Sequence, residues 1–314
     1  MICQRSKQES FTLIELLVVI VIIGILAGVI MISTSSSIDK ANFAKAQAFS
    51  STVQNELLSN LVSEWTFDEG PTDVGNPATD NDVKDSWGIN NGIIGGNPQV
   101  LAEDKCVHGK CLFFDGAGDY INLGNNIVSI FDNGKIFTYS VWFNPQVTLT
   151  TAWQWIFCKA YTSHISPHYQ VELRLRPNNV LASYIYNSSG SGYLSGLGGN
   201  VTPKQWNHAV VVIDLSKNIH TVYINGNFKG KSSTPSGTYV NWNSDLAIAA
   251  NDNIATSTTY DFYGYIDDVR IYNSALSSSQ IKQTYIAGLD SMLSTQTISK
   301  EEYNRRINIL AYEK

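Results

Sequence analysis

The stretch HYQVELRLRP, residues 168–177, decides how the body of the chain folds. Tyr169, Val171, Leu173 and Leu175 alternate with Gln170, Glu172, Arg174 and Arg176. Side chains along a strand point to opposite faces with a period of two, so this segment is a strand with one apolar and one polar face. An apolar sheet face needs a second layer to cover it, and a two-layer sandwich follows.

Outward from this strand, Val62 to Tyr272 keeps one texture: short β-branched and aromatic runs broken by Gly, Asn, Asp and Pro, which is all-β spacing. KCLFFDG, GDYINLG, FTYSVWFNP, NVLASYIYN, QWNHAVVVID, NIHTVYING, SDLAIAAND and DFYGYIDDVRIY each read as a strand or a pair of strands. In YINGNFKG, Asn225 and Gly226 between apolar runs give the strongest hairpin signal of the chain. NSSGSGYLSGLGGN, residues 187–200, is rich in Gly and Ser and reads as a mobile loop.

A chain of 314 residues has room for about two domains. Charged residues are 15% of it, the formal net charge is -6, and seven Trp and sixteen Tyr help bring aromatics to 11%. Without a Lys/Arg cluster the chain lacks the electrostatic footprint that phosphate backbones require, so nucleic acid is not indicated. Aromatic and amide side chains suit glycans or proteins instead. Cys106 and Cys111 bracket CVHGKC, where the glycine permits a tight turn that brings two strand ends within disulfide reach. The pair could also ligate metal, but no second pair completes a zinc site, so a disulfide is preferred and implies an oxidising compartment. Cys158, in WQWIFCKA, reads as a buried thiol.

At the N-terminus every residue from Leu16 to Ile32 is apolar or Gly, and with Phe11 to Ile14 the run reaches the ~20 residues that span a bilayer as a helix. Arg5 and Lys7 against Glu9 make a weakly basic leader that stays on the cytoplasmic side. A secretory signal peptide is the weaker alternative, since its apolar region would be shorter. Glu15 inside the span costs about 2.5–3.5 kcal/mol and demands a partner. FTLIELLVVIVIIGILA resembles the cleavage and methylation motif of type IV prepilins and of the pseudopilins of type II secretion. The resemblance implies that a prepilin peptidase cuts between Ser10 and Phe11, that Phe11 is N-methylated, and that Glu15 pairs with the N-terminal amine of a neighbouring pilin-like subunit. The family prefers Gly where this chain has Ser10, which implies slowed rather than abolished processing. A buried pair of that kind sets axial registry more than it stabilises. After the span, Ala46, Phe49, Val53, Leu57 and Leu61 recur at helical spacing and predict an amphipathic helix.

A second resemblance is carried by SEWTFDEG (63–70), VKDSWGINNGII (83–94), CLFFDGAGDYINLG (111–124), FTYSVWFNP (137–145), WNHAVVVID (206–214), VYINGN (222–227) and GYIDDVRIYNSALSSSQI (264–281). In that order these segments resemble the laminin G-like, concanavalin A-like jelly-roll domains. The resemblance implies two curved antiparallel sheets that act as a binding module for glycans, proteoglycans or proteins. It also implies calcium, with Asp68, Asp267 or Asp268 as ligands and Asp85 a weaker addition, against the competing reading that these acids cap turns. Trp65, Trp142 and Trp206 read as core. Trp153, Trp155, Tyr184, Tyr186 and Trp242 are the candidates for an aromatic platform under a sugar ring.

The same fold supports glycoside hydrolases, whose chemistry needs two carboxyls about 5–9.5 Å apart. Glu172 stands alone among arginines, the ExDxE pattern of such hydrolases is absent, and the histidines form no HExxH, so the chain reads as non-catalytic. Near the C-terminus, Ser277 with Gln280 and Ser299 with Glu302 form capping boxes, stapled by Leu276 with Ile281 and by Ile298 with Tyr303. The fold class is therefore mainly β: a two-sheet antiparallel jelly-roll sandwich preceded by a long transmembrane and amphipathic α-helix and followed by short C-terminal helices. The expected division is a leader at 1–10, the pilin-like helix at 11–61, the sandwich at 62–275 and a helical tail at 276–314. The expected protein is a pilin-like subunit of the envelope with its sandwich outside the membrane, binding carbohydrate or protein; the rival is a subunit whose sandwich only decorates a filament.

Overall fold

The computed structural model describes Leu17, Ile20, Val21 and residues 55–68, 83–131, 135–160, 169–187, 193–234, 237–239, 245–250 and 261–312. Ser10, Phe11, Glu15 and Trp242 lie outside them. Among the described residues no helix is long and apolar enough to cross a membrane. Met1–Asn55 and Glu56–Lys314 are two compact units, and the second holds the sandwich.

The described part of helix α1, residues 55–60, stops where strand β1 (Leu61–Trp65) starts, so Leu61 opens a strand rather than continuing the helical stripe. The strands that follow are β2 (Ile93–Gly95), β3 (Gln99–Leu101), β4 (Cys111–Asp115), β5 (Tyr120–Asn122), β6 (Ile136–Pro145), β7 (Gln154–Ala160) and β8 (Tyr169–Arg176). Then come β9 (Val180–Tyr186), β10 (Tyr193–Asn200), β11 (Asn207–Asp214), β12 (Ile219–Ile224), β13 (Asn227–Ser232), β14 (Leu246–Ile248) and β15 (Tyr263–Tyr272), with helices α2 (Ser278–Ser294) and α3 (Lys300–Tyr312) last. An eight-stranded antiparallel sheet runs β13-β12-β11-β6-β15-β4-β3 with β1 also on β15, and a seven-stranded sheet runs β10-β9-β8-β7-β14-β5-β2.

Alternation builds the core between the sheets. Val171 and Leu173 of β8 and Leu181 and Ile185 of β9 meet Tyr139, Val141, Val211 and Ile266 from the other sheet. Trp65, Trp142 and Trp206 are all buried. Asn225 and Gly226, at φ 52° and 76°, form the tight turn between β12 and β13 in the left-handed region such turns need. Residues 193–200 are a strand, not a loop: at Gly198 the strand lies so close to the other sheet that a Cβ would sit 3.0 Å from Ile224. Gly198 is there for packing, while Gly199, at φ 86°, has open space where a Cβ would sit.

The outer face of the eight-stranded sheet is covered by the C-terminal helices. Ser277 and Gln280 close a reciprocal capping box that starts α2, and Tyr285, Leu289 and Met292 of α2 pack with Leu310 of α3 over Trp142, Trp206 and the Cys106–Cys111 disulfide. At the start of α3 the Glu302 amide donates to Ser299 Oγ, while the Glu302 carboxylate turns to Arg305 and Arg306.

One polar chain crosses the core: Tyr139 Oη lies 2.8 Å from Ser183 Oγ, and His220 Nε2 3.0 Å from the same hydroxyl. Burial pushes His220 down to about 4. The unfolded chain therefore binds this proton more readily than the native one, and the His220 contribution is lost as pH falls from 6.5 towards 4. In urea titrations, wild type should lose stability relative to His220→Gln across that window, at up to about 1.4 kcal/mol per pH unit. A difference independent of pH would mean that His220 is solvated.

Candidate functional site

The polar face of β8 is the outer face of the seven-stranded sheet, and four of the five proposed platform residues meet there. Arg174 pairs across the sheet with Trp155 of β7, and Glu172 with Tyr184 of β9, so ladder register brings distant segments together. The Glu172 carboxylate accepts from Trp155 Nε1 at 2.7 Å, Arg174 Nη1 at 3.1 Å and Tyr186 Oη at 3.2 Å. The Arg174 guanidinium lies between two rings, 3.9 Å from the centroid of Trp153 and 4.1 Å from that of Tyr184. Burial, aided by the Glu172 charge, pushes the Tyr186 phenol well above its ordinary value and keeps it a donor.

The cluster is not an open platform. Glu172 is 0%, Trp155 and Tyr184 4% and Arg174 6% exposed, so these rings pack around an ion pair. Trp153 and Tyr186 keep partial exposure and form its accessible rim. Sequence reasoning missed Arg174 as the centre of the group. The alternation places it beside Glu172, but the rings that enclose it, Trp153 just before β7 and Tyr184 of β9, come from neighbouring segments, and only register shows that. Glu172 has donors on both oxygens, an arrangement that holds a carboxylate still rather than moving a proton.

The four acids read as calcium ligands do not form one site. Asp85 Oδ1 accepts the amides of Glu64, Trp87 and Gly88, and its Oδ2 that of Asn90, which is turn capping. Those amides hold its carboxyl below the usual range even against burial. Asp267 accepts the amides of Val107, His108 and Asp268. Asp268, at φ 47° in the bulge of β15, lies 2.6 Å from His108 Nδ1 and 3.2 Å from Arg270 Nη2; burial opposes its charge, but the Arg270 and His108 neighbours hold it down to about 2. Asp68 is exposed and accepts the Lys110 amide. Asp68 and Asp268 thus abut the same disulfide loop, but calcium takes six to eight oxygens, and among the described residues no three acid, His or Cys groups converge on a metal position. Asp85 and Asp267 spend their carboxylate oxygens on backbone amides.

Residues 115–282, more than half of the chain, match the family model of the concanavalin A-like lectin/glucanases superfamily. The chain belongs to this superfamily. The concanavalin A-like domain is joined to residues 5–31, which match the prokaryotic N-terminal methylation motif, the mark of processing by a prepilin peptidase and of membrane-anchored or pilus proteins. Comparison with curated proteins gives no match. Among solved structures the domain is similar to domain 4 of AbnA, a GH43 extracellular arabinanase from Geobacillus stearothermophilus in complex with arabinotriose, at 24% identity and TM-score 0.52, over 71% of this chain and 97% of that one. It is also similar to the binding domain of Paraclostridial Mosquitocidal Protein 1, at 15% identity and TM-score 0.57, over 74% of this chain and 53% of that one. Trypanosoma rangeli sialidase in complex with sialic acid matches at 13% identity and TM-score 0.52, over 72% of this chain and 33% of the enzyme. At these identities the likeness concerns the fold; the superfamily covers lectins and glucanases alike.

Proposed function

We propose that the chain is a pilin-like envelope subunit that assembles through its N-terminal segment and presents a non-catalytic, carbohydrate-binding sandwich outside the membrane. One observation carries this reading: the methylation motif at 5–31 and the concanavalin A-like domain at 115–282 occur in a single chain. The similar AbnA domain holds arabinotriose, which supports a glycan as ligand. Trp153 and Tyr186, at the rim of the Glu172 and Arg174 cluster, are the rings through which a sugar is reached on that face. The burial of Trp155 and Tyr184 favours a second reading, in which the sandwich is purely structural.

Two measurements test this. Mass analysis of the N-terminal peptide from protein recovered from a host with a matched prepilin peptidase should find a chain that begins with methylated Phe11; an intact leader would leave a singly anchored protein and end the filament reading. Full-length protein in detergent micelles should bind members of a glycan panel and lose affinity about tenfold on Trp153→Ala. Binding to none of the panel would favour the structural subunit.

A further inference from the structure

A cleft of about 430 Å³ opens between the C-terminal helical hairpin and the end of the eight-stranded sheet, on the side of the molecule set by Trp206 and Tyr265. Its size falls in the ~300–1,000 Å³ range of ligand pockets. One wall, formed by Thr297 to Ser299 and by Glu302 and Arg306 of α3, lies beyond the part of the chain that matches the concanavalin A-like family.

Its walls are fixed by hydrogen bonds between elements. Trp206 Nε1 donates to the Lys105 carbonyl at 3.0 Å, Arg306 Nη1 to the Trp206 carbonyl at 2.7 Å, and Thr297 Oγ1 to the Cys106 carbonyl at 3.2 Å. The Arg306 and Glu302 charges neutralise each other at 2.7 Å. What remains unengaged is rich in donors: the Lys105 and Lys204 ammoniums, the Tyr265 hydroxyl and the Gln205 amide all line the cleft, and none has a hydrogen-bond or ion-pair partner among the described residues. Asp104 is the single unpaired acid beside them. On a chain of net charge -6 this is a local excess of positive charge. Lys204 is held at φ 59°, a region that side chains other than Gly, Asn and Asp seldom adopt, with its amide on the Pro145 carbonyl at 2.7 Å.

We infer that this cleft is a binding site for an acidic oligosaccharide, in which the carboxylate of a uronic-acid-type sugar meets Lys105 and Lys204 while ring hydroxyls meet the amides and Tyr265. The inference rests on the carbohydrate-binding reading proposed above. Charge supplies the selection: an ammonium pairs with a carboxylate more strongly than with a neutral hydroxyl. The contact weakens with salt, because both lysines are exposed.

The test is calorimetric titration of the full-length protein in detergent micelles with a uronic acid oligosaccharide and with the same oligosaccharide methyl-esterified. The acid form should bind at least tenfold more tightly, and Lys105→Gln and Lys204→Gly should each weaken it about tenfold while leaving the esterified form unchanged. Lys204→Gly separates binding from folding, since glycine accepts φ 59° without strain and the thermal midpoint should not fall. Equal binding of both forms, or binding of the acid form untouched by the two variants, overturns the inference and leaves the carbohydrate reading standing. Failure of the whole glycan panel removes both.

Discussion

Replacing Glu172 by alanine should lower the unfolding free energy by about 3–5 kcal/mol, the usual cost of stripping one partner from a buried ion pair. Arg174 cannot leave for solvent, because its guanidinium is enclosed by the Trp153 and Tyr184 rings and it is only 6% exposed. Trp155 Nε1 and Tyr186 Oη lose their acceptor at the same time. The loss therefore combines an unpaired cation with two unmatched donors, and a urea midpoint reads it directly. Replacing the pair together, Glu172→Met with Arg174→Met, should recover most of the stability, since apolar side chains of similar volume need no partners. A Glu172→Ala loss below about 1 kcal/mol would place the pair at a solvated surface, where exposed ion pairs are worth that little. The four rings would then be an open platform after all.

The fold was legible where a strand carries its own two-residue period, as β1 and β8 do. HYQVELRLRP gave its inward residues correctly, since Val171, Leu173 and Leu175 are all buried against the other sheet. The Asn225 and Gly226 turn was legible for the same reason: its signal is local. Residues 193–200 misled because glycine has two uses, and composition does not distinguish a free loop from a strand pressed against a neighbour. The candidate site was half legible. Trp153, Trp155, Tyr184 and Tyr186 do meet, but sequence cannot tell a ring that faces solvent from one that encloses an arginine, because that depends on cross-strand neighbours. The surroundings of the acids were hidden by the same limit. Asp85 and Asp267 look like hard oxygen donors for a cation, and the structure sets backbone amides around them instead.

Asp267→Ala should cost about 3 kcal/mol or more, because three amides lose one acceptor. Asp267 is fully buried; burial and the neighbouring Asp268 charge raise its carboxyl well above the usual range, so what it contributes is acceptor geometry. Val107 and His108, at 2.8 and 3.0 Å, tie the disulfide loop to the bulge of β15. That loop is also the floor on which the C-terminal hairpin sits, since Cys106, Val107 and Cys111 pack with Tyr285, Leu289, Met292 and Leu310. Damage at Asp267 should therefore spread: limited proteolysis should cut the connection between α2 and α3 faster in the variant than in wild type, with the disulfide still formed. Asp267→Asn keeps an acceptor oxygen towards the loop but sets an amide nitrogen against a third donor, so it should fall between the two. The loss should be the same in calcium and in chelator, because the partners are amides. If it disappears when a chelator is present, the carboxylate is a metal ligand and the hydrogen-bonded account of the loop fails.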